Sequence, residues 1–432
     1  MRRLLQFAKD ERALPTVVAI AFLARLVYSF FIFPKIGDAL FWRGVDDGYD
    51  EIARNLLAGH GFVMSPGRPE NLLIPPGYVY FLSGLYSLFG VEMGEGARLW
   101  IAHAALDAIT CGALYAIGAL ILENRRAGFL AAAAWALYPQ MIVYSARIAP
   151  EVLFTLVFLA LYVAWVALEA RGGVWRALLA GAAWGALVLT KEKVILLPAL
   201  LLVRLLWVRR REPVRFAREG ALFVAAALVV IGPWLYRGYE LTGGFVPVTL
   251  RGGRALTEGF KKDFGGADTY MVDGFDQFYN EQGGQKPAFD SLTEEEREKQ
   301  IRALREKESG RLRTTLNEIA HEPMTFFRRT AVRALAYWYW GQPRVIAGNA
   351  IINLPLLALG IAGFWFARRT RAAAIAALLV LYMNAIHAVT VVRMRYSLPV
   401  MTLVILFASI AACAAWDRWR SARAARPPGA AR

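Results

Sequence analysis

Apolar stretches of about 20 residues alternate with short basic clusters along most of the chain. A hydrocarbon core roughly 30 Å thick needs about that many apolar residues in one helix. The stretches Leu14–Phe33, 97–121, 128–145, 150–169, 176–190, 193–208, 218–236, 347–367, 372–391 and 396–416 meet or approach this length. They predict an all-α polytopic membrane protein with about ten transmembrane helices. Pro76–Gly90 is shorter, rich in Tyr and broken by Ser and Gly, so it is expected to be interfacial or re-entrant. Two longer polar segments, 34–75 and 237–345, interrupt the pattern. In the second, Thr293 stands three residues before Glu296, the spacing of a capping box. It predicts a polar helix running to about Ala320, whose Glu and Arg residues three and four apart suit a solvated scaffold. Phe326–Trp340 then reads as an interfacial helix, with Tyr and Trp at the headgroup level and Arg toward lipid phosphates.

Charge adds an orientation. The 432 residues are 57% hydrophobic and carry a net charge of +16. Clustered between apolar runs, these cations follow the positive-inside rule and do not point to nucleic acid. With the N-terminus in the cytoplasm, Arg125/Arg126, Arg171/Arg176, Arg209–Arg211 with Arg215 and Arg218, and Arg368/Arg369/Arg371 all fall inside. So does the tail, with Arg418, Arg420, Arg423, Arg426 and Arg432, which puts both termini in the cytoplasm. Segments 34–75 and 237–345 then face the periplasm or exterior. Met1–Arg12 is basic and the apolar run after it is long enough to stay as an anchor, so no cleaved signal peptide is expected. Cys111 and Cys413 lie within apolar runs and imply neither a disulfide framework nor a metal site. His60 and His103 have no ligand spacing around them. There is no internal duplication of the kind many transporters show, and no Walker A, HExxH or Gly-x-Ser-x-Gly sequence.

Candidate chemistry concentrates at the outer ends of the spans. Asp46, Asp47, Asp50 and Glu51 fall within six residues just outside the first span. From Tyr49 onward Ile52, Ala53, Leu56 and Leu57 have helical spacing, predicting an amphipathic helix on the membrane surface. Asp46 or Asp47 could cap that helix, or serve as a general base toward an acceptor hydroxyl or amine. Lys191, Lys193, Arg237, Arg393 and Arg395 fall near outer span ends. They read either as snorkelling anchors or as partners of an anion, Arg being suited to bidentate phosphate contact. Glu151 is either a charge at a helix start or a second acid. Arg25 lies mid-span, where a charge costs at least about 2.5–3.5 kcal/mol, and so requires a partner, for which Asp107 and His387 are candidates.

The first loop also carries a resemblance. Asp46/Asp47, Tyr49, Gly59-His60-Gly61-Phe62, Arg68-Pro69 and Pro75-Pro76-Gly77-Tyr78 are followed by Ser145–Glu151, Leu189–Lys193, Gly232-Pro233-Trp234 with Arg237 and Thr242-Gly243-Gly244, and Arg393–Pro399. In this order they resemble the GT-C glycosyltransferases that use polyprenyl-phosphate sugars, the group of protein O-mannosyltransferases and the lipid A aminoarabinose transferase. The chain departs from that pattern at Glu192, where a Pro is usual, and in the spacing of Asp46 to Tyr49, which favours Asp46 without settling the register. The resemblance implies an inverting hexosyl- or pentosyltransferase acting outside the cytoplasm on a glycan, lipid or protein acceptor. Asp46, Asp47 and Glu151 would be its catalytic residues. Tyr49, Arg68, Tyr78, Lys191, Arg237, Arg393 and Arg395 would bind substrate. No cofactor is implied, and a divalent cation stays an open question. A transmembrane catalytic module at 1–236, including outer loop 34–75, would precede an extracytoplasmic insert at 237–345 and C-terminal helices with a basic tail at 346–432. A lipid or polysaccharide transporter and a lipid-linked glycan ligase are the competing readings.

Overall fold

The structure, a computed structural model, describes residues 13–35, 48–68, 70–90, 97–261, 293–341 and 343–424. Among them every regular element is helical: α1 (Ala13–Val27, continued by a π turn at Tyr28–Ile32), α2 (Tyr49–Leu57), α3 (Pro76–Phe89), α4 (Ala97–Leu120), α5 (Arg125–Ala136), α6 (Pro139–Ser145), α7 (Glu151–Arg171), α8 (Val174–Thr190), α9 (Leu197–Val208), α10 (Pro213–Thr242), α11 (Gly252–Lys261), α12 (Glu294–His321), α13 (Pro323–Ala336), α14 (Pro343–Ala367), α15 (Arg371–Val389) and α16 (Leu398–Ala424). The chain is an all-α integral membrane protein. Six helical stretches of the described residues are long and apolar enough to cross a bilayer, or seven if α5 and α6 make one broken span.

The stretches that do not pass have local reasons. Pro139 stands at the first turn of α6 and holds Tyr138 extended (φ −70°, ψ 107°), so α5 and α6 meet at a 53° bend. The apolar run 193–208 is shortened because Glu192–Val194 forms a 3-10 turn, and α9 begins only at Leu197. At 12 residues α9 is about 18 Å long, short of the hydrocarbon thickness. The 17-residue α8 is likewise short, and the 30-residue α10 contains Pro233. Within Pro76–Gly90 the helix α3 has 14 residues, about 21 Å.

Helices approach closely where side chains are small. Gly181 and Gly185 of α8 form a Gly-xxx-Gly face against α10, and a Cβ on Gly181 would lie 2.1 Å from the Phe223 carbonyl oxygen. Such faces let helices pack where lipid offers no hydrophobic incentive to associate. Arg25 is fully buried and donates to Asp107 (2.5 Å) and to the carbonyls of Ala21, Trp135 and Ala136. Trp135 Nε1–H donates to the other Asp107 oxygen at 2.8 Å. Asp107 is therefore the partner, while His387 sits elsewhere, between the rings of Tyr337 and Tyr396.

The two polar segments differ from the surface arrangement the pattern suggests. α2 does not lie free on the membrane; it buries Tyr49, Ile52 and Ala53 and packs on α3. Its N-cap is Gly48, in the left-handed region (φ 78°), and Asp46 and Asp47 lie outside the described residues. α12 opens with the expected capping box, Thr293 and Glu296 exchanging hydrogen bonds. It is more than a solvated rod, because Ile301 and Leu304 join Leu72, Leu73, Val246 and Leu250 in a satellite core. The Leu250 N–H donates to the Leu72 carbonyl at 2.9 Å, tying the first polar segment to the second.

Candidate functional site

Pro150 precedes α7 and leaves Glu151 in its first turn, where the helix dipole favours a carboxylate. α8 ends at Thr190 because Lys191 adopts extended backbone (φ −149°, ψ 123°). The two ends meet. Lys191 Nζ donates to Glu151 Oε1 at 2.9 Å, and Arg395 Nε lies 3.8 Å from the same oxygen. The Glu151 side chain is 1% exposed, that of Arg395 6% and that of Lys191 14%, so two cations share a carboxylate largely out of water. Glu151 Oε2 accepts no hydrogen bond among the described residues.

Aromatic rings fix these cations. Lys191 Nζ stands 5.5 Å from the Phe154 ring and 5.2 Å from that of Tyr396, and the Arg395 guanidinium is 5.2 Å from Tyr396. His387 stacks against Tyr396 at 4.7 Å, and Tyr337 donates its hydroxyl to the Tyr396 carbonyl at 2.8 Å. The 3-10 turn Met394–Ser397 is therefore held from both sides, with the Met394 N–H donating to the Trp340 carbonyl. Lys193 and Arg393 adjoin the cluster, each partly buried. Burial pushes the Lys193 ammonium below the ordinary lysine value; Glu192, Tyr396 and Glu258 oppose that shift and Arg251 adds to it. Tyr144 lies within electrostatic reach of Arg395, Arg147, Glu151 and Arg393.

The first polar segment reaches the end of α8 through α3. A Cβ on Gly77 would lie 2.9 Å from the carbonyl carbon and oxygen of Leu189, two residues before Lys191. Only glycine permits that approach. Tyr78 follows, with its hydroxyl 3.2 Å from His103 Nε2, and His103 Nδ1 is 3.1 Å from the Ser145 carbonyl. A carbonyl only accepts, so Nδ1 carries the proton and Nε2 accepts from Tyr78. Tyr49 stands edge-on to Tyr78 at 5.1 Å. Tyr49 and Tyr78 are thus connected, through His103, to the segment leading into Glu151.

Of the residues singled out in the sequence, Glu151, Lys191 and Arg395 come together, Arg393 lies within electrostatic reach of the Tyr144 they also reach, and Tyr49 and Tyr78 connect to them only through His103 and the Ser145 carbonyl. Arg237 is paired differently, with Glu70 and with the rings of Phe62 (5.2 Å) and Trp234 (4.3 Å). Arg68 is an exposed residue of the first loop. Tyr396 enters only as part of the Arg393–Pro399 stretch and His103 only as a histidine without ligand spacing, while Tyr144 and Glu70 are not singled out. Glu70 meets Arg237 across a large sequence separation that no local signal marks. No three His, Cys, Asp or Glu side chains converge in a metal-binding arrangement among the described residues.

Residues 74–236 match the dolichyl-phosphate-mannose-protein mannosyltransferase family. The match covers less than half of the chain and spans α3 through most of α10, including Tyr78, Glu151 and Lys191. It falls within the group of enzymes the sequence resembles. No curated protein matches the chain. Among solved structures, the chain is similar to ArnT from Cupriavidus metallidurans bound to undecaprenyl phosphate, with 17% identity, a TM-score of 0.46, and coverage of 97% of this chain and 82% of that one. The apo state of the same protein gives 18% identity, a TM-score of 0.41, and coverage of 96% and 80%.

Proposed function

We propose that the chain is a membrane glycosyltransferase that moves a sugar, with inversion, from a polyprenyl-phosphate carrier to an extracytoplasmic acceptor. The observation that carries this reading is the buried Lys191–Glu151–Arg395 cluster, with Lys193 and Arg393 beside it. Cations exceed the buried carboxylate that orients them, as an anion site requires. The matched family, whose description names dolichyl-phosphate-mannose as donor, supports a lipid-phosphate sugar as that anion.

In this reading Glu151 is a positioning residue that holds Lys191 and Arg395 toward the donor phosphate. Asp46 or Asp47 accepts the proton of an acceptor hydroxyl or amine. The acceptor atom attacks the anomeric carbon while the bond from that carbon to the phosphate oxygen breaks. The electron pair leaves with the polyprenyl phosphate, and the cations neutralise the charge that develops there, the main electrostatic contribution to rate. Arg237, paired with Glu70, orders the first loop beside the site, and Tyr49 and Tyr78 brace it.

Purified protein mixed with a polyprenyl-phosphate sugar and an acceptor extract should release free polyprenyl phosphate. The Asp46→Asn/Asp47→Asn double variant, folded to the same melting temperature, should lose that release by at least about a hundredfold, the scale of a general base. Full activity in the double variant would remove the aspartates from the mechanism. An intact donor carried across vesicles would instead show a transporter.

A further inference from the structure

α7 runs 21 residues from Glu151 to Arg171, so its far end lies about 30 Å from the candidate site. At that end the loop between α7 and α8 meets the start of α10 around a cavity of about 600 Å³. Arg171, Arg215 and Arg218 line it, together with Glu212 and Glu219. Both carboxylates are already committed. Glu219 accepts from Arg209 (3.1 Å), Arg215 (3.1 Å) and the Gly173 N–H (3.0 Å), and Glu212 accepts from Arg215 at 2.7 Å. The Arg215 Nη2 also donates to the Arg171 carbonyl at 3.1 Å, which fixes the floor of the cavity. Arg171 and Arg218 are exposed on its rim, and among the described residues neither has a carboxylate partner. The cavity is thus a braced, neutral floor with two uncommitted guanidinium groups above it. Val214, which also lines the cavity, is 81% exposed, and Trp175, two residues beyond the lining Gly173, is 77% exposed, apolar side chains suited to the boundary between headgroups and acyl chains.

We propose that this cavity binds the phosphate of an anionic phospholipid, with Arg171 and Arg218 on the phosphate and the acyl chains along Val214 and Trp175. Cationic pockets between helix ends at a membrane face have this chemistry, and a guanidinium suits a phosphate diester. A free phosphate ester shares the headgroup chemistry but gains nothing from the apolar flank. The site is independent of the Glu151 cluster and of the reaction proposed for it.

The test is native mass spectrometry of the full chain in detergent with added phosphatidylglycerol or phosphatidylcholine. Phosphatidylglycerol should be retained in preference to phosphatidylcholine, and Arg171→Gln/Arg218→Gln should weaken its retention about thirtyfold. The control Arg368→Gln/Arg369→Gln removes two exposed cations from another basic loop and leaves the cavity intact, so a specific site should retain the lipid as wild type does. Because Arg171 and Arg218 are exposed, melting temperatures of wild type and both variants should agree. Equal weakening in both variants would reduce the site to diffuse surface charge, and no preference for the anionic lipid would overturn it. Competition by glycerol 3-phosphate as strong as by the lipid would overturn the lipid as occupant.

Discussion

Lys193 sits partly buried beside Lys191, and burial holds its ammonium below the ordinary value of 10.5. Between its folded and unfolded values the unfolded chain binds more protons, so this residue makes stability rise with pH in that window. Anion binding runs the other way. It needs the charged ammonium, so affinity for a lipid phosphate should fall as pH rises through the folded value, beginning below 10.5. Lys193→Arg, which stays protonated, should move that alkaline fall upward, and titrating polyprenyl-phosphate binding from pH 7 to 11 in both proteins would show it. An unchanged profile would place Lys193 outside the anion site. Arg25 presents the opposite case, a buried cation whose three nitrogens make four hydrogen bonds within the bundle. Arg25→Met leaves Asp107 charged in the bundle and should lower stability by about 3–5 kcal/mol, whereas adding Asp107→Asn should recover part of that loss. Thermal melting of the three proteins in one detergent reads both effects.

Among the elements, those specified by local chemistry were legible in advance. The capping box at Thr293 and Glu296 marked the start of α12, and the short apolar run at Pro76–Gly90 anticipated a helix as short as α3. What depends on distant partners was not. The helical spacing of Tyr49, Ile52 and Ala53 shows an apolar face but not what covers it, and here α3 covers it in place of lipid. Likewise Gly77 read as part of a motif, and only the fold shows why its side chain must be absent. A methyl group there would press on the backbone at Leu189 and Thr190, which cannot rotate away as a flexible side chain could. Gly77→Ala should therefore push α3 off the end of α8 and displace Lys191, costing about 1–3 kcal/mol of stability. Donor affinity should fall more than the melting temperature suggests. Normal affinity in a destabilised Gly77→Ala protein would separate α3 from the site.

At the scale of the whole molecule, the chain sorts its chemistry to opposite ends of the same helices. α7 carries Glu151 at one end and Arg171 at the other, and α8 links the Arg-dense turn at Gly173 to Lys191. The density of Arg between apolar runs made the basic end readable from sequence alone, because short loops obey a charge rule that needs no tertiary information. At the other end the sequence offered Glu151, Lys191 and Arg395 as separate candidates, but their pairing was not readable, since they come from three separate regions and share one carboxylate only when packed together. The charge rule also assigns sides: the Arg209–Arg211 loop to the cytoplasm and the first outer loop to the exterior. The molecule lends itself to a direct check, because both native thiols are buried, Cys111 fully and Cys413 to 8% exposure, so labelling background should be low. Ser65 and Arg211 are exposed. In intact cells a membrane-impermeant maleimide should label Ser65→Cys at once and Arg211→Cys only after permeabilisation. The reverse pattern would invert the bundle, turn the Glu151 cluster toward the cytoplasm, and remove the extracytoplasmic acceptor from the proposed reaction.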